Sequence, residues 1–163
     1  MYENLYENPL LHKINVDFIL EMSRSMNGFQ GHTSSVDYEQ DLIVVSCASG
    51  KQATALLPHL TTKFQHLRLV CHSSNSAERL RNTYPKAEIL QTDLNDPGAA
   101  AQIVRNATAI YHVEPPFAHL QASIGIRLID AAVAELKRPS SRFKHFVYAS
   151  VLNTELGKVR SET

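Results

Sequence analysis

The sequence predicts a doubly wound α/β fold, in which helices cover both faces of a parallel sheet. Short apolar runs recur from residue 42 onward, and the first four begin roughly 20 to 25 residues apart. Segments with helical character separate them, and this alternation is typical of βαβ units with right-handed crossovers. The first run, LIVV at 42–45, shows no period of two, as expected of a central strand that is buried on both faces.

The elements follow one another regularly along the chain. Strands are predicted at 42–45, 67–71, 87–90, 109–113 and 145–150, and helices at 51–60, 76–83, 97–105 and 118–137. The last helix has the clearest pattern, because Leu120, Ile124 and Leu128 are four residues apart. Asp96 and Pro97 favour a helix start at 97, since aspartate caps helices and proline suits the first helical position. We expect a sheet of about five strands.

Composition narrows the kinds of partner. The 163 residues carry 16 basic and 16 acidic side chains, so no electrostatic footprint for direct nucleic-acid binding is present. The longest apolar runs are about five residues, whereas a membrane-spanning helix needs roughly 20. Two cysteines make no disulfide framework, which favours reduced thiols. We expect a cytoplasmic protein without a metal site or membrane contact.

The first 40 residues do not follow this alternation. Ile14, Phe18 and Met22 are four residues apart, so 13–25 has the pattern of an amphipathic helix. Residues 1–40 are therefore predicted to be an N-terminal extension, either partly ordered or forming one amphipathic helix that docks on the sheet or on a partner. Residues 41–163 are predicted to form the α/β domain.

The segment SCASGKQA at 46–53 joins the first strand to the first helix. Strands of a parallel sheet end at one edge, where helix N-termini offer unpaired N–H groups and the positive end of the helix dipole. Small residues in this turn let the backbone approach a phosphate closely. The candidate cofactor-binding residues are Ser46, Ser49, Gly50, Lys51 and Gln52. The alternative is an ordinary strand-to-helix turn.

The second strand is followed by CHSSNS at 71–76. Domains that prefer NAD usually place an acidic residue here to bind the ribose hydroxyls, and this segment has none. His72 and Ser73 are candidate donors instead, an arrangement that favours NADP over NAD. The alternative is a polar turn without a ligand.

Candidate residues also follow the third and fourth strands. In QTDLND at 91–96, Asp93 is a candidate acceptor for the adenine amino group, with Leu94 beside it; alternatively, Asp93 only shapes the turn. In HVEPPF at 112–117, Glu114 and Pro115 are placed to pass near the ribose and nicotinamide. Glu114 has an equally good interpretation as an exposed loop charge.

Three stretches resemble the NmrA-like family of the extended short-chain dehydrogenase/reductase superfamily, most of all its fungal members. They are LIVVSCASGKQATALLPHL, QTDLNDPGAAAQIVRNATAIYHVEPPF and IRLIDAAVAELKRPSSRFKHFVYASVLN, and the resemblance covers about residues 41–156. It implies a Rossmann-type NAD(P) site, often with NADP preferred, on a sheet that is incomplete at its C-terminal side in this chain. Proteins of this family range from reductases to cofactor-sensing regulators of transcription factors.

The resemblance places the family turn T-G-A-T-G-x-x-G on residues 46–53. The first glycine of that turn falls on Cys47 and the third on Ala53. If Cys47 needs a positive φ, its Cβ costs roughly 1–2 kcal/mol. The family's arginine for the 2′-phosphate falls on His72, which lacks a permanent charge. We therefore expect weak binding of the dinucleotide.

The catalytic residues remain unassigned. Reductases of this superfamily use a Tyr-x-x-x-Lys pair after the fifth strand, and no tyrosine follows Tyr148 in this sequence. The resemblance nevertheless implies a protein that descends from NADP-dependent oxidoreductases and acts in fungal secondary metabolism. One alternative is a non-catalytic NAD(P)-sensing regulator that binds a protein partner, for which the nucleus is the alternative location. Another is an inactive, truncated paralogue whose incomplete sheet edge favours a homodimer.

Overall fold

The computed structural model describes residues 36–113 and 121–149. The strands are β1 (Leu42–Val45), β2 (His66–Cys71), β3 (Glu88–Gln91), β4 (Ala109–Val113) and β5 (His145–Ala149). The helices are α1 (Lys51–Lys63), α2 (Ser74–Thr83), α3 (Ala99–Val104) and α4 (Gln121–Leu136). Strands and helices alternate in the predicted order. The predicted extension lies outside the described residues except for 36–40.

All five described strands are parallel, in the order β3-β2-β1-β4-β5. The chain builds outward from β1 through β2 to β3, then returns to the other side of β1 with β4 and β5. The prediction of a doubly wound, Rossmann-type sheet is confirmed. Ligands in such sheets bind outside the carboxyl ends of the strands where the direction of building reverses, which here is between β1 and β4.

The two faces of the sheet carry separate apolar cores. Val45 packs with Leu57 of α1 and Leu80 of α2, whereas Val44 packs with Ile103 of α3 and other residues on the opposite face. Successive strand residues point to opposite faces. Both valines are fully buried, which explains why LIVV has no period of two.

Two helix starts differ from the prediction. Helix α3 begins at Ala99 rather than at 97, because the Asp96 carboxylate accepts the Gly98 N–H at 2.9 Å and holds 96–98 in a turn. Helix α2 begins at Ser74 rather than at 76, because Ser73 caps it by accepting the Ser76 N–H at 3.2 Å. Side-chain capping shifted both boundaries.

Arg68 of β2 ties the sheet to the end of α3. Its guanidinium donates to Glu88 at 2.9 Å and to the carbonyls of Ile103 and Arg105 at 3.0 and 2.8 Å. The last carbonyls of a helix have no partner within the helix. A buried arginine therefore supplies the donors that close α3.

Candidate cofactor site at the carboxyl edge of the sheet

The turn between β1 and α1 is bound to both neighbouring strands. Ser46 N–H donates to the Tyr111 carbonyl of β4 at 3.0 Å, and Ala48 N–H donates to the Val70 carbonyl of β2 at 2.8 Å. These bonds continue the sheet pattern past the end of β1. The turn is therefore a fixed part of the carboxyl edge of the sheet.

Cys47 is the residue at which the chain leaves the strand direction. Its φ is 48°, in the left-handed region, and its carbonyl accepts the Gly50 N–H at 2.9 Å. The positive φ that would strain a residue with a Cβ at the first-glycine position is therefore present. A residue with a Cβ in this region costs roughly 1–2 kcal/mol.

Replacing Cys47 by glycine is expected to raise the free energy of unfolding by about 1 kcal/mol, because relief of the strain exceeds the added entropy of the unfolded chain. Urea denaturation followed by circular dichroism measures the change. Ala48→Gly is the matched control, since Ala48 is buried and has a negative φ; it is expected to lower stability. A loss of stability in Cys47→Gly would contradict the strain.

Gly50 is the cap of α1, and the space around it, rather than its dihedral angles, favours glycine. Its φ of −80° and ψ of 165° are open to any residue. However, a Cβ on Gly50 would lie 3.1 Å from the Cys47 carbonyl oxygen, closer than ordinary contact. No side chain caps α1, and its first turn has no acid but contains Lys51. This helix end therefore favours an anion.

Gln52 in the same turn faces β4. The Tyr111 hydroxyl donates to its Oε1 at 3.3 Å. Burial raises the pKa of Tyr111, so the phenol keeps its proton near neutral pH and remains a donor. This contact orients Gln52 at the edge of the turn.

Ser46 is turned into the sheet rather than toward the outside of the turn. Its hydroxyl accepts the Val113 N–H at 2.8 Å and lies 2.8 Å from Nδ1 of His112. Both Ser46 and His112 are fully buried. The Ser46 side chain thus joins the ends of β1 and β4. The role of His112 was not foreseen, because nothing in its local sequence distinguishes it from a strand residue facing solvent.

Ser49 contacts an arginine that is not among the predicted cofactor-binding residues. Arg79 of α2 places its Nη2 atom 3.4 Å from the Ser49 carbonyl oxygen. A permanent positive charge therefore stands beside the β1–α1 turn. Arg79 and Arg81 are only two residues apart on one helix, so no sequence signal indicated which of them reaches the turn.

His72 and Asp93 come together at the ends of β2 and β3. The His72 ring is largely exposed, and its Nδ1 lies 4.0 Å from Oδ1 of Asp93. Hydrogen bonds from the Asn95 backbone and side chain, with a further contribution from His72, lower the pKa of Asp93. Ser73 is placed beside them, but its hydroxyl caps α2.

Of the three remaining candidate residues, the structure describes only Leu94. The Leu94 carbonyl accepts a hydrogen bond from Arg127 of α4 at 3.2 Å, and its side chain packs against the α3–α4 core. Glu114 and Pro115 lie outside the described residues.

Over residues 36–113 and 121–149, no helix is both long and apolar enough to cross a bilayer. In the same part of the chain, no group of His, Cys, Asp or Glu side chains is arranged to hold a metal ion.

Three solved structures show the same fold. A negative transcriptional regulator, Nmra, in complex with NAD is 26% identical, with a TM-score of 0.60 over 72% of this chain and 36% of that one. An NADPH-dependent quinone oxidoreductase of Escherichia coli, QOR2, complexed with NADPH is 16% identical, with a TM-score of 0.55 over 67% of this chain and 36% of that one. Pen from Bacillus thuringiensis is 15% identical, with a TM-score of 0.59 over 71% and 38%.

The chain spans 36 to 38% of the length of these three proteins. No curated protein showed significant similarity to it. The sequence profile of the NmrA-like family matches residues 39–160, which include every described strand and helix. The chain therefore belongs to the NmrA-like family.

Proposed function

We propose that the chain binds a nicotinamide dinucleotide across the carboxyl edge of its sheet, with NADP preferred over NAD. The observation that carries this proposal is the β1–α1 turn, where a Cβ on Gly50 would lie only 3.1 Å from the Cys47 carbonyl oxygen and no side chain caps α1. The pyrophosphate would be held by the first N–H groups of α1, close to Lys51. These residues fit the group, because the cradle is small, fixed and positively polarised.

The preference for NADP rests on charge at the end of β2. His72 and Ser73 stand where an NAD-binding domain usually has an acid. Arg79 adds the permanent charge that His72 lacks, and it lies against Ser49 in the turn itself. Asp93 would meet the adenine, and Glu114 and Pro115 the ribose and nicotinamide.

Wild-type protein is expected to bind NADPH more tightly than NADH in isothermal titration calorimetry. Arg79→Gln is expected to weaken NADPH binding about tenfold, or about 1.4 kcal/mol, because a charge-assisted contact to the 2′-phosphate is lost. Binding of NADH should change little, since NADH has no phosphate at this position.

Lys86→Gln is the matched control for Arg79→Gln. It removes one positive charge from an exposed residue just before β3, at the amino ends of the strands and thus opposite the proposed cofactor site. Equal losses for NADPH and NADH in Arg79→Gln would overturn the role of Arg79. Absence of binding by either dinucleotide at millimolar concentration in wild-type protein would overturn the proposed function as a whole.

We propose that the chain descends from NADP-dependent oxidoreductases and catalyses a reaction of that class. We further propose that it acts in fungal secondary metabolism, in the cytoplasm. The dinucleotide, when bound, would supply hydride chemistry. Gln52 and Tyr111 would orient the edge of the turn, and Ser46 with His112 would keep β1 and β4 in register. Consumption of NADPH in the presence of quinones or aldehydes measures this activity.

The second candidate function is a non-catalytic dinucleotide sensor with a protein partner. One observation favours it: Nmra, at 26% identity, is a negative transcriptional regulator whose structure was solved in complex with NAD. A partner that co-purifies only when dinucleotide is present would support the sensor. Turnover of NADPH by the purified chain would favour the reductase instead.

A further inference from the structure

Arg127 of α4 is a partly buried cation without an acid beside it. Its Nη2 donates to the Leu94 carbonyl at 3.2 Å, whereas its Nε is buried and has no hydrogen-bond partner in the part of the chain that the structure describes. Within the same residues its guanidinium forms no ion pair. A buried donor without an acceptor costs free energy. Unlike Arg68, Arg127 therefore contributes little to the stability of the fold, which indicates another role.

The loop that Arg127 reaches, residues 92–98, joins β3 to α3 at the carboxyl edge of the sheet. Its first residue is fixed to the sheet, because the Thr92 N–H donates to the Cys71 carbonyl of β2 at 2.9 Å. Its middle is held at Leu94, whose side chain packs against the α3–α4 core and whose carbonyl accepts the bond from Arg127. Arg127 thus links α4 to the middle of this loop.

Asp93, which directly precedes Leu94, uses one of its two carboxylate oxygens within the protein. Its Oδ1 accepts the Asn95 N–H at 2.9 Å and the Asn95 side-chain amide at 3.0 Å, and the same atom lies 4.0 Å from Nδ1 of His72. No donor among the described residues bonds to Oδ2, and the side chain is about half exposed. Since an ionised carboxylate accepts on both oxygens, Oδ2 is available to a donor of a ligand.

One peptide unit connects Arg127 to this carboxylate. The Leu94 carbonyl, which accepts from Arg127, and the Asn95 N–H, which donates to Asp93, belong to the same trans peptide. A planar trans peptide directs its C=O and its N–H to opposite sides, so a bond that fixes one of them also orients the other. We propose that Arg127 is a positioning residue, which through this peptide holds the Asp93 carboxylate in place for the amino group of adenine. This inference rests on the proposed function, which supplies the dinucleotide.

The test compares NADPH with deamino-NADPH, in which a carbonyl oxygen replaces the adenine amino group. Isothermal titration calorimetry on the full chain gives both dissociation constants. Wild-type protein is expected to prefer NADPH about tenfold, because the deamino ligand offers no amino group to Asp93. Arg127→Met is expected to bind NADPH about tenfold more weakly and deamino-NADPH much as wild type does, since a displaced carboxylate no longer reads the amino group. The preference for NADPH is then lost.

Two further variants and a stability measurement separate positioning from a structural role. Lys137→Met is the matched control, because Lys137 is exposed just after the end of α4, and it is expected to keep the wild-type preference. Arg127→Lys, which retains a donor for the Leu94 carbonyl, is expected to keep most of that preference. In thermal unfolding, Arg127→Met is expected to unfold no earlier than wild type, since methionine removes a buried donor that has no acceptor.

The outcomes distinguish this inference from the function on which it rests. Equal losses of affinity for the two ligands in Arg127→Met, or an unchanged preference for NADPH, would overturn the positioning role. Wild-type protein that bound both ligands equally well would overturn it too, while dinucleotide binding itself would stand. If wild-type protein bound neither ligand, the proposed function would be wrong and the role of Arg127 with it.

Discussion

Replacing Gly50 by valine is expected to lower the affinity for NADPH at least about 100-fold, or about 2.7 kcal/mol. The added Cβ would lie 3.1 Å from the Cys47 carbonyl oxygen, so the turn must shift. The two methyl groups would also cover the first N–H groups of α1, which are the proposed pyrophosphate donors. Isothermal titration calorimetry with NADPH measures the loss.

The matched control for this substitution is Gly98→Val. Gly98 is likewise the residue that precedes a helix, α3, but its Cβ would have Asp96 as nearest neighbour at an ordinary 3.5 Å. It is expected to bind NADPH as wild type does. Circular dichroism checks that both variants are folded. If Gly50→Val kept wild-type affinity, the pyrophosphate would have to lie elsewhere.

Replacing Arg68 by methionine is expected to lower the free energy of unfolding by about 3 kcal/mol. The substitution removes two good hydrogen bonds to the carbonyls that end α3, at Ile103 and Arg105, and the bond to Glu88. Carbonyls left without a donor in a buried place cost about 1–3 kcal/mol each. Urea denaturation gives the change.

Glu88→Gln separates the two parts of this prediction. Glu88 is about half exposed, so its ion pair with Arg68 should contribute less than about 1 kcal/mol. If Glu88→Gln cost as much as Arg68→Met, the ion pair rather than the closing of α3 would hold this region. A loss below about 1 kcal/mol in Arg68→Met would contradict the role of Arg68 altogether.

Local patterns in the sequence determined the order of the elements, because burial on both faces of a parallel sheet leaves continuous apolar runs such as LIVV. They also identified the turn in which Gly50 and Cys47 have special roles, since small residues between a strand and a helix are a short-range feature. Helix starts were less accurate. At Ser73 and Asp96, hydrogen bonds of single side chains moved the boundary by two residues.

The tertiary structure alone decided which side chains meet. Strand order brought Ser46 against His112, 66 residues further along the chain, so that a predicted cofactor-binding residue also links two strands. It also brought Arg79 to the Ser49 carbonyl. These contacts depend on which strands are neighbours and on the direction of each side chain. A local sequence pattern predicts neither of these. The sequence by itself therefore determined the fold class and the position of the candidate cofactor turn, whereas long-range packing decided which charged and polar side chains lie beside that turn.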